Sequence, residues 1–187
     1  RSLNRKTDYF TQNVSNGDRF NVFRYGKQIS FYLVVDLSRC KMWFYGIDED
    51  AHERILLKRY DVGLGRLDPN RQSGSLTPLG TYRLGDKIAI YRPTVTGLYQ
   101  GQKVEMIRIF GTRWIPFDSE VGLCTEPAKG LGLHGAPWQE DPETKECKEN
   151  IASIGHYESD GCIRLATTDM EELFAIITHL ERQDLLD

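Results

Sequence analysis

With 187 residues, of which 40% are hydrophobic, 27% charged and 11% aromatic, the chain has room for one well-cored domain and falls outside the disordered and fibrous classes. Its 24 basic and 27 acidic residues leave a net charge of −3, without the basic surplus that a nucleic-acid surface needs, so no nucleic acid is expected as a partner. The most apolar stretch, Ile29 to Val35, spans seven residues, far short of the ~18 that a membrane-crossing helix requires.

The chain opens Arg1-Ser2-Leu3-Asn4-Arg5-Lys6, without the apolar centre of a signal peptide, and reads as a mature or trimmed product. Residues 1–26 are polar and lack a sustained period, which predicts an N-terminal arm or linker ahead of one domain over 27–187. Two β-branched and aromatic runs, Ile29–Val35 and Cys40–Tyr45, flank the turn-forming Asp36-Leu-Ser-Arg39 and predict a hairpin. Further strands are expected at Ile55–Val62, Gly80–Leu84, Val104–Phe110 and Leu131–His134. Gly63-Leu-Gly-Arg-Leu-Asp68 fails as a dinucleotide fingerprint because Asp68 stands where the third glycine belongs. Near the end, Thr168-Asp-Met-Glu171 has the form of a capping box, and Met170, Leu173, Phe174, Ile177 and Leu180 recur at helical spacing. Many short strands and one late helix imply a mainly β fold, a sandwich or half-open barrel with an α-helix in the C-terminal region.

The chemistry concentrates in Leu131-Gly-Leu-His-Gly-Ala-Pro-Trp138 and Ser159-Asp-Gly-Cys-Ile-Arg-Leu165. A free thiol is only about 3% thiolate at pH 7, so a nucleophilic Cys162 needs an imidazole to take its proton. His134, at the close of a short strand, is the expected base, and the Gly135 carbonyl is placed to accept its Nδ1–H and fix the tautomer. Gly161 gives the backbone freedom to curl, so the N–H groups of Gly161 and Cys162 are the expected oxyanion donors. His156, six residues before Cys162, is the competing base and otherwise lines the cleft. Arg164 is expected either to grip a substrate carboxylate bidentately or to brace the Cys162 loop through a salt bridge. Ser159 and Trp138 are further candidates for contact with substrate. The helix near Thr168 begins too far from Cys162 for its dipole to act, so ion pairing with the imidazole is expected to lower the thiol pKa.

Cys40, Cys124, Cys147 and Cys162 form no C-x-x-C pair, and His134, His156 and Cys162 lack the spacing of a zinc site, so no metal is expected. If Cys162 stays free, one disulfide remains possible, and Cys124 with Cys147 would flank the His134 segment.

His-Gly followed downstream by Ser-x-Gly-Cys-Ile-Arg resembles the L,D-transpeptidase catalytic domain (YkuD-like family). Leu76-Thr-Pro-Leu-Gly-Thr-Tyr82 is similar to that family's Thr-Pro-x-Gly segment, and the Ile29–Tyr45 hairpin is similar to its opening strands. The resemblance implies a cofactor-free cysteine acyltransferase or peptidase that remodels bacterial peptidoglycan outside the cytoplasm, in the periplasm or cell wall. Cys162 would attack the third-residue carbonyl of a tetrapeptide stem, release D-alanine, and pass the acyl group to an acceptor amine. Two alternatives are an L,D-carboxypeptidase with water as acceptor and an inactive peptidoglycan-binding module. Asp160 stands where the family usually has His, and the 28-residue separation of His134 and Cys162 exceeds the family's usual spacing. The extra residues, about 139–154, are rich in Glu and Lys and suggest a lid or an extended loop over the cleft, selecting an acceptor or simply solvated.

Overall fold

Alternation of apolar and polar side chains sets which strand faces turn inward, and the structure, a computed structural model, describes residues 26–183. Side chains of the last helix are described as far as Thr178. The arm expected over 1–26 therefore lies, Gly26 apart, outside the described residues. The described residues divide into two compact units, one of residues 26–35 and 42–60 and one of residues 36–41 and 61–183.

In the first unit, β1 (Ile29–Asp36), β2 (Lys41–Asp48) and β3 (Glu53–Asp61) form a three-stranded sheet in that order. Met42 and Phe44 alternate into the buried face of β2, where the Phe31 and Phe44 ring centroids are 5.2 Å apart. Tyr45 points the other way and carries the Arg54 guanidinium 4.8 Å from its ring centroid.

The second unit contains β4 (Leu64–Gly65), β5 (Thr81–Leu84), β6 (Ala89–Ile90), β7 (Thr96–Tyr99), β8 (Gln102–Glu105), α1 (Ile107–Phe110) and β9 (Arg113–Gly122). It continues with β10 (Gly132–Gly135), β11 (Trp138–Glu140), β12 (Cys147–Glu149), β13 (Tyr157–Ser159), β14 (Ile163–Leu165) and α2 (Thr167–Gln183). Its main sheet runs β14-β10-β9-β5, with β6 also on β9. The described residues thus form a mainly β architecture with one long helix and no closed barrel.

The β10–β14 pair is parallel, whereas β10–β9 is antiparallel. Parallel neighbours require a long crossover, and residues 136–162 supply it. That is the reason the two motif segments stand so far apart in sequence. The charged stretch 139–154 is a formed hairpin, β11 on β12, followed by a 3-10 turn at Ile151–Ser153.

Ile115, Leu133 and Ile163 lie side by side in register on one face of β9, β10 and β14, and all are at most 5% exposed. Against β9 and β10 packs α2, with Met170, Leu173, Phe174 and Ile177 buried as the helical period predicts. Arg113 follows the same alternation and pairs with Glu171 at 3.3 Å. Glu171 therefore closes no capping box with Thr168. The helix starts one residue earlier, and Glu149 of β12 accepts the Thr167 N–H at 2.7 Å. A second correction falls on Val104–Phe110. The strand stops at Glu105, and Ile107–Phe110 makes one helical turn because Gly111, at φ +61 and ψ −150, reverses the chain there. Strand β9 escaped sequence reading because Pro116, Asp118 and Glu120 interrupt its apolar pattern.

Leu133 fills the centre of the layer under α2. Leu133→Ala should cost about 3 kcal/mol in urea unfolding, whereas Val34→Ala, at a half-exposed position, should stay within about 0.5 kcal/mol. Equal losses at the two positions would contradict this placement of the core.

Candidate active site

Strand alternation that buries Leu133 and Ile163 sends their neighbours to the opposite face. His134 is paired with Arg164 across β10–β14 and with Trp114 across β10–β9, so the three side chains share that face. Cys162 lies two residues before Arg164 and extends the same row beside Gly132. The thiol contacts the Gly130 carbonyl, with Sγ 3.7 Å from the oxygen. A two-residue step along a strand is about 7 Å, so Cys162 stands about that far along the chain from Arg164, the residue paired with His134. Gly132 must be glycine: a Cβ there would stand 2.5 Å from the Ile115 carbonyl oxygen.

The segment carrying Cys162 is held from three directions. Ser159, 1% exposed, donates its hydroxyl to the Cys162 carbonyl at 2.6 Å and accepts the Gly161 N–H at 3.1 Å. Gly161 has φ +122, and a Cβ on it would come within 2.8 Å of the Leu76 carbonyl oxygen. The Thr77 hydroxyl donates to the Gly161 carbonyl at 3.0 Å and accepts the Gly65 N–H at 2.7 Å. Thr77, in the Thr-Pro segment, thus ties the Cys162 loop to β4. Sequence reading saw the segment without this role. Gly63 and Gly65 serve close packing, since a Cβ at either would meet backbone atoms within 2.5 Å, those of Ser153 and Thr77 respectively.

His134 is 3% exposed, and its Nδ1 lies 2.7 Å from the Gly135 carbonyl oxygen. A carbonyl only accepts, so Nδ1 carries the proton and Nε2 keeps a free lone pair. Burial pulls the imidazole pKa down to about 4, with a smaller lowering from the Arg164 charge. Burial also pushes the Cys162 thiol up to about 11, against a backbone hydrogen bond at Gly132 and the charge of Arg164. At neutral pH both groups are uncharged. The expectation of a thiol lowered by ion pairing is therefore overturned: desolvation outweighs the available charge.

The remaining candidates divide. Arg164 lies on the site face, its pKa lowered mainly by burial, and its buried Nε has no hydrogen-bond partner. Among the described residues it forms no ion pair, so the salt bridge expected to brace the loop is absent. Asp160 instead pairs with Arg66, both well exposed. Trp138 pairs with Glu149 in the β11–β12 hairpin and has a buried, unpartnered Nε1. His156 is exposed at the approach to β13, away from the enclosed setting of His134. Ser159 spends its hydroxyl on its own loop, which removes it as a substrate contact. The Gly161 N–H is committed to that hydroxyl, which leaves Cys162 N–H of the expected oxyanion pair. All four cysteines are free, including Cys124 and Cys147, and the Cys124 thiol donates to the Thr81 carbonyl at 3.1 Å. Among the described residues no cluster of three His, Cys, Asp or Glu side chains is placed to hold a metal ion. An open depression of about 440 Å³ lined by Glu120 to Pro127 includes none of the candidate residues.

Residues 30–180 match the family model of the L,D-transpeptidase catalytic domain, YkuD. The chain belongs to that family. No curated protein and no solved structure matches it. Members of this L,D-transpeptidase family are cysteine-dependent transpeptidases or peptidases that act on cell-wall peptidoglycan. Among the described residues of this L,D-transpeptidase domain, no helix is long and apolar enough to cross a membrane.

A histidine held neutral inside the fold but free to charge once unfolded makes stability depend on pH. Its folded pKa, about 4, lies below the ordinary 6.5, so the stabilisation is complete above pH 6.5 and is lost as pH falls toward 4. Between pH 7 and 4.5 the native protein should therefore lose about 2.5 kcal/mol more than His134→Gln, measured by urea unfolding. Parallel pH profiles for the two proteins would contradict a buried neutral imidazole.

Proposed function

We propose that this L,D-transpeptidase domain transfers the acyl group of a peptidoglycan tetrapeptide stem through a thioester on Cys162. Nε2 of His134 takes the thiol proton as the sulfur attacks the carbonyl of the third stem residue. The resulting oxyanion lies against the Cys162 N–H, and His134 returns the proton to the amine of the departing D-alanine. An acceptor amine, its proton passing to His134, then attacks the thioester, forms the new peptide bond and frees the thiol. Thiol and imidazole begin uncharged, so proton transfer accompanies attack and does not precede it.

The observation that carries this reading is the pairing of His134 with Arg164, two residues after Cys162, within a chain of this family. Arg164 supports the choice of substrate. A partly buried guanidinium with an unpartnered Nε suits a planar anion, and the C-terminal carboxylate of a tetrapeptide stem is one. Gly135 would fix the imidazole through its carbonyl, and Trp138 would border the stem. The substrate class places the working enzyme outside the cytoplasm, in the periplasm or cell wall.

Incubation with a disaccharide-tetrapeptide muropeptide tests the reading by mass spectrometry. Cross-linked dimer plus free D-alanine is expected from the native protein and neither from Cys162→Ala. Tripeptide without dimer would replace transfer by hydrolysis, and an inert native protein would leave a binding module. Arg164→Lys should raise KM by roughly 10- to 100-fold with a smaller change in kcat, as expected for loss of a charge-assisted bidentate contact. An unchanged KM would remove Arg164 from substrate binding.

A further inference from the structure

His134 is enclosed by aromatic rings that sequence reading did not single out. The Trp114 ring lies 5.9 Å from the imidazole centroid at 30°, stacked on it. The Phe110 ring stands 5.3 Å away at 88°, edge to face. Those two rings also touch each other, at 4.7 Å. Tyr91 and Tyr99 back Phe110 in turn, at 6.1 and 5.6 Å. The imidazole is therefore gripped by carbon on two sides and tied at Nδ1 to the Gly135 carbonyl.

The backbone explains how Phe110 arrives there. Phe110 ends α1, and the next residue, Gly111, presses so closely on β10 that a Cβ would come 2.6 Å from the Gly135 carbonyl carbon. Its φ of +61 with ψ −150 belongs to a region reserved for glycine. Gly135 faces it in the same contact, where a Cβ would lie 3.2 Å from the Thr112 nitrogen. Two glycines thus let the end of α1 and the start of β9 close over the strand that carries the histidine.

We propose that Trp114 and Phe110 are positioning residues for acyl transfer, clamping the His134 ring so that Nε2 stays turned toward Cys162. The inference rests on His134 acting as the base. Neither ring titrates, so both act through fit and exclusion of water. The charged or titratable groups around the imidazole are Arg164 and Cys162 from the β14 segment, with Tyr91 and Tyr99 behind Phe110. Arg113 points to the opposite face, toward Glu171. Truncating a clamping ring should let the imidazole rotate and admit water, which moves its titration upward toward the ordinary value.

The test follows His134 by ¹⁵N NMR in the full chain, alongside tetrapeptide turnover, for Trp114→Leu, Phe110→Leu and the conservative Trp114→Phe and Phe110→Tyr. In the leucine variants the imidazole should titrate at least one pH unit higher and lose its single Nδ1–H tautomer. Their kcat should fall on the order of 10²-fold, the cost of a misplaced catalytic group, with KM little changed. The aromatic variants should recover most of both readouts. If a leucine variant fails to fold, Trp114→Phe keeps the test decisive, because it removes part of the stacked ring and should still move the titration measurably. Native titration and tautomer in all variants would overturn the proposal. The NMR readout requires no turnover, so it judges the clamp even if the muropeptide assay were to remove His134 from the chemistry.

Discussion

The parallel pairing of β10 with β14 is the constraint on which the site depends. It sets Leu133 beside Ile163 in the core and His134 beside Arg164 on the opposite face. The same hydrogen-bonded register therefore buries the apolar row under α2 and sets His134 beside Arg164 on the opposite face. A one-residue slip would exchange the faces, sending His134 into the core and Leu133 to the site. Burial of Ile115, Leu133 and Ile163 thereby enforces the position of the imidazole.

Enclosure gives the site its electrical character. The His134 ring is 3% exposed, and the half-buried Cys162 thiol lies against the Gly130 carbonyl. A dry setting disfavours both the imidazolium and the thiolate, which is why the two pKa values move apart to about 4 and about 11. In the proposed mechanism a neutral pair withholds reactivity until a substrate carbonyl is in place, where a resting thiolate would attack adventitious electrophiles. Arg164 brings a cation to this face, and burial lowers its pKa. A bound carboxylate would relieve that cost and anchor the substrate with the same contact.

Sequence legibility followed how local each cause was. The β1–β2 hairpin and the α2 stripe stand on periodicity within a few residues and were readable directly. The family resemblance was readable because His-Gly and Ser-x-Gly-Cys-Ile-Arg are short, specific strings. What sequence reading missed depends on contacts distant in sequence. The cap of α2 comes from Glu149, 18 residues before Thr167. Thr77 braces Gly161 from 84 residues away. The helical turn at Ile107–Phe110 hid inside an alternating run because its cause is the conformation of Gly111. The direction of the thiol shift was misjudged because burial cannot be read from a string, and Cys162 seemed free to pair with a charged imidazole. Ser159 looked like a substrate contact until its hydroxyl was found inside its own loop.

The 139–154 hairpin, read from its charge as a lid, is tied at both ends. Asn150 donates its N–H to the Pro137 carbonyl at 2.7 Å, and Glu149 holds the start of α2. It lies within the crossover that parallel pairing demands.

Burial of the imidazole and partial burial of the thiol leave both groups uncharged at pH 7. The most direct measurement is a pH titration of the native protein labelled with ¹³C at cysteine Cβ, following residue 162. The account predicts a thiol signal at pH 7 that converts to thiolate only near pH 11. A thiolate signal already present at pH 7 would mean a resting ion pair, and the account of the site would fail.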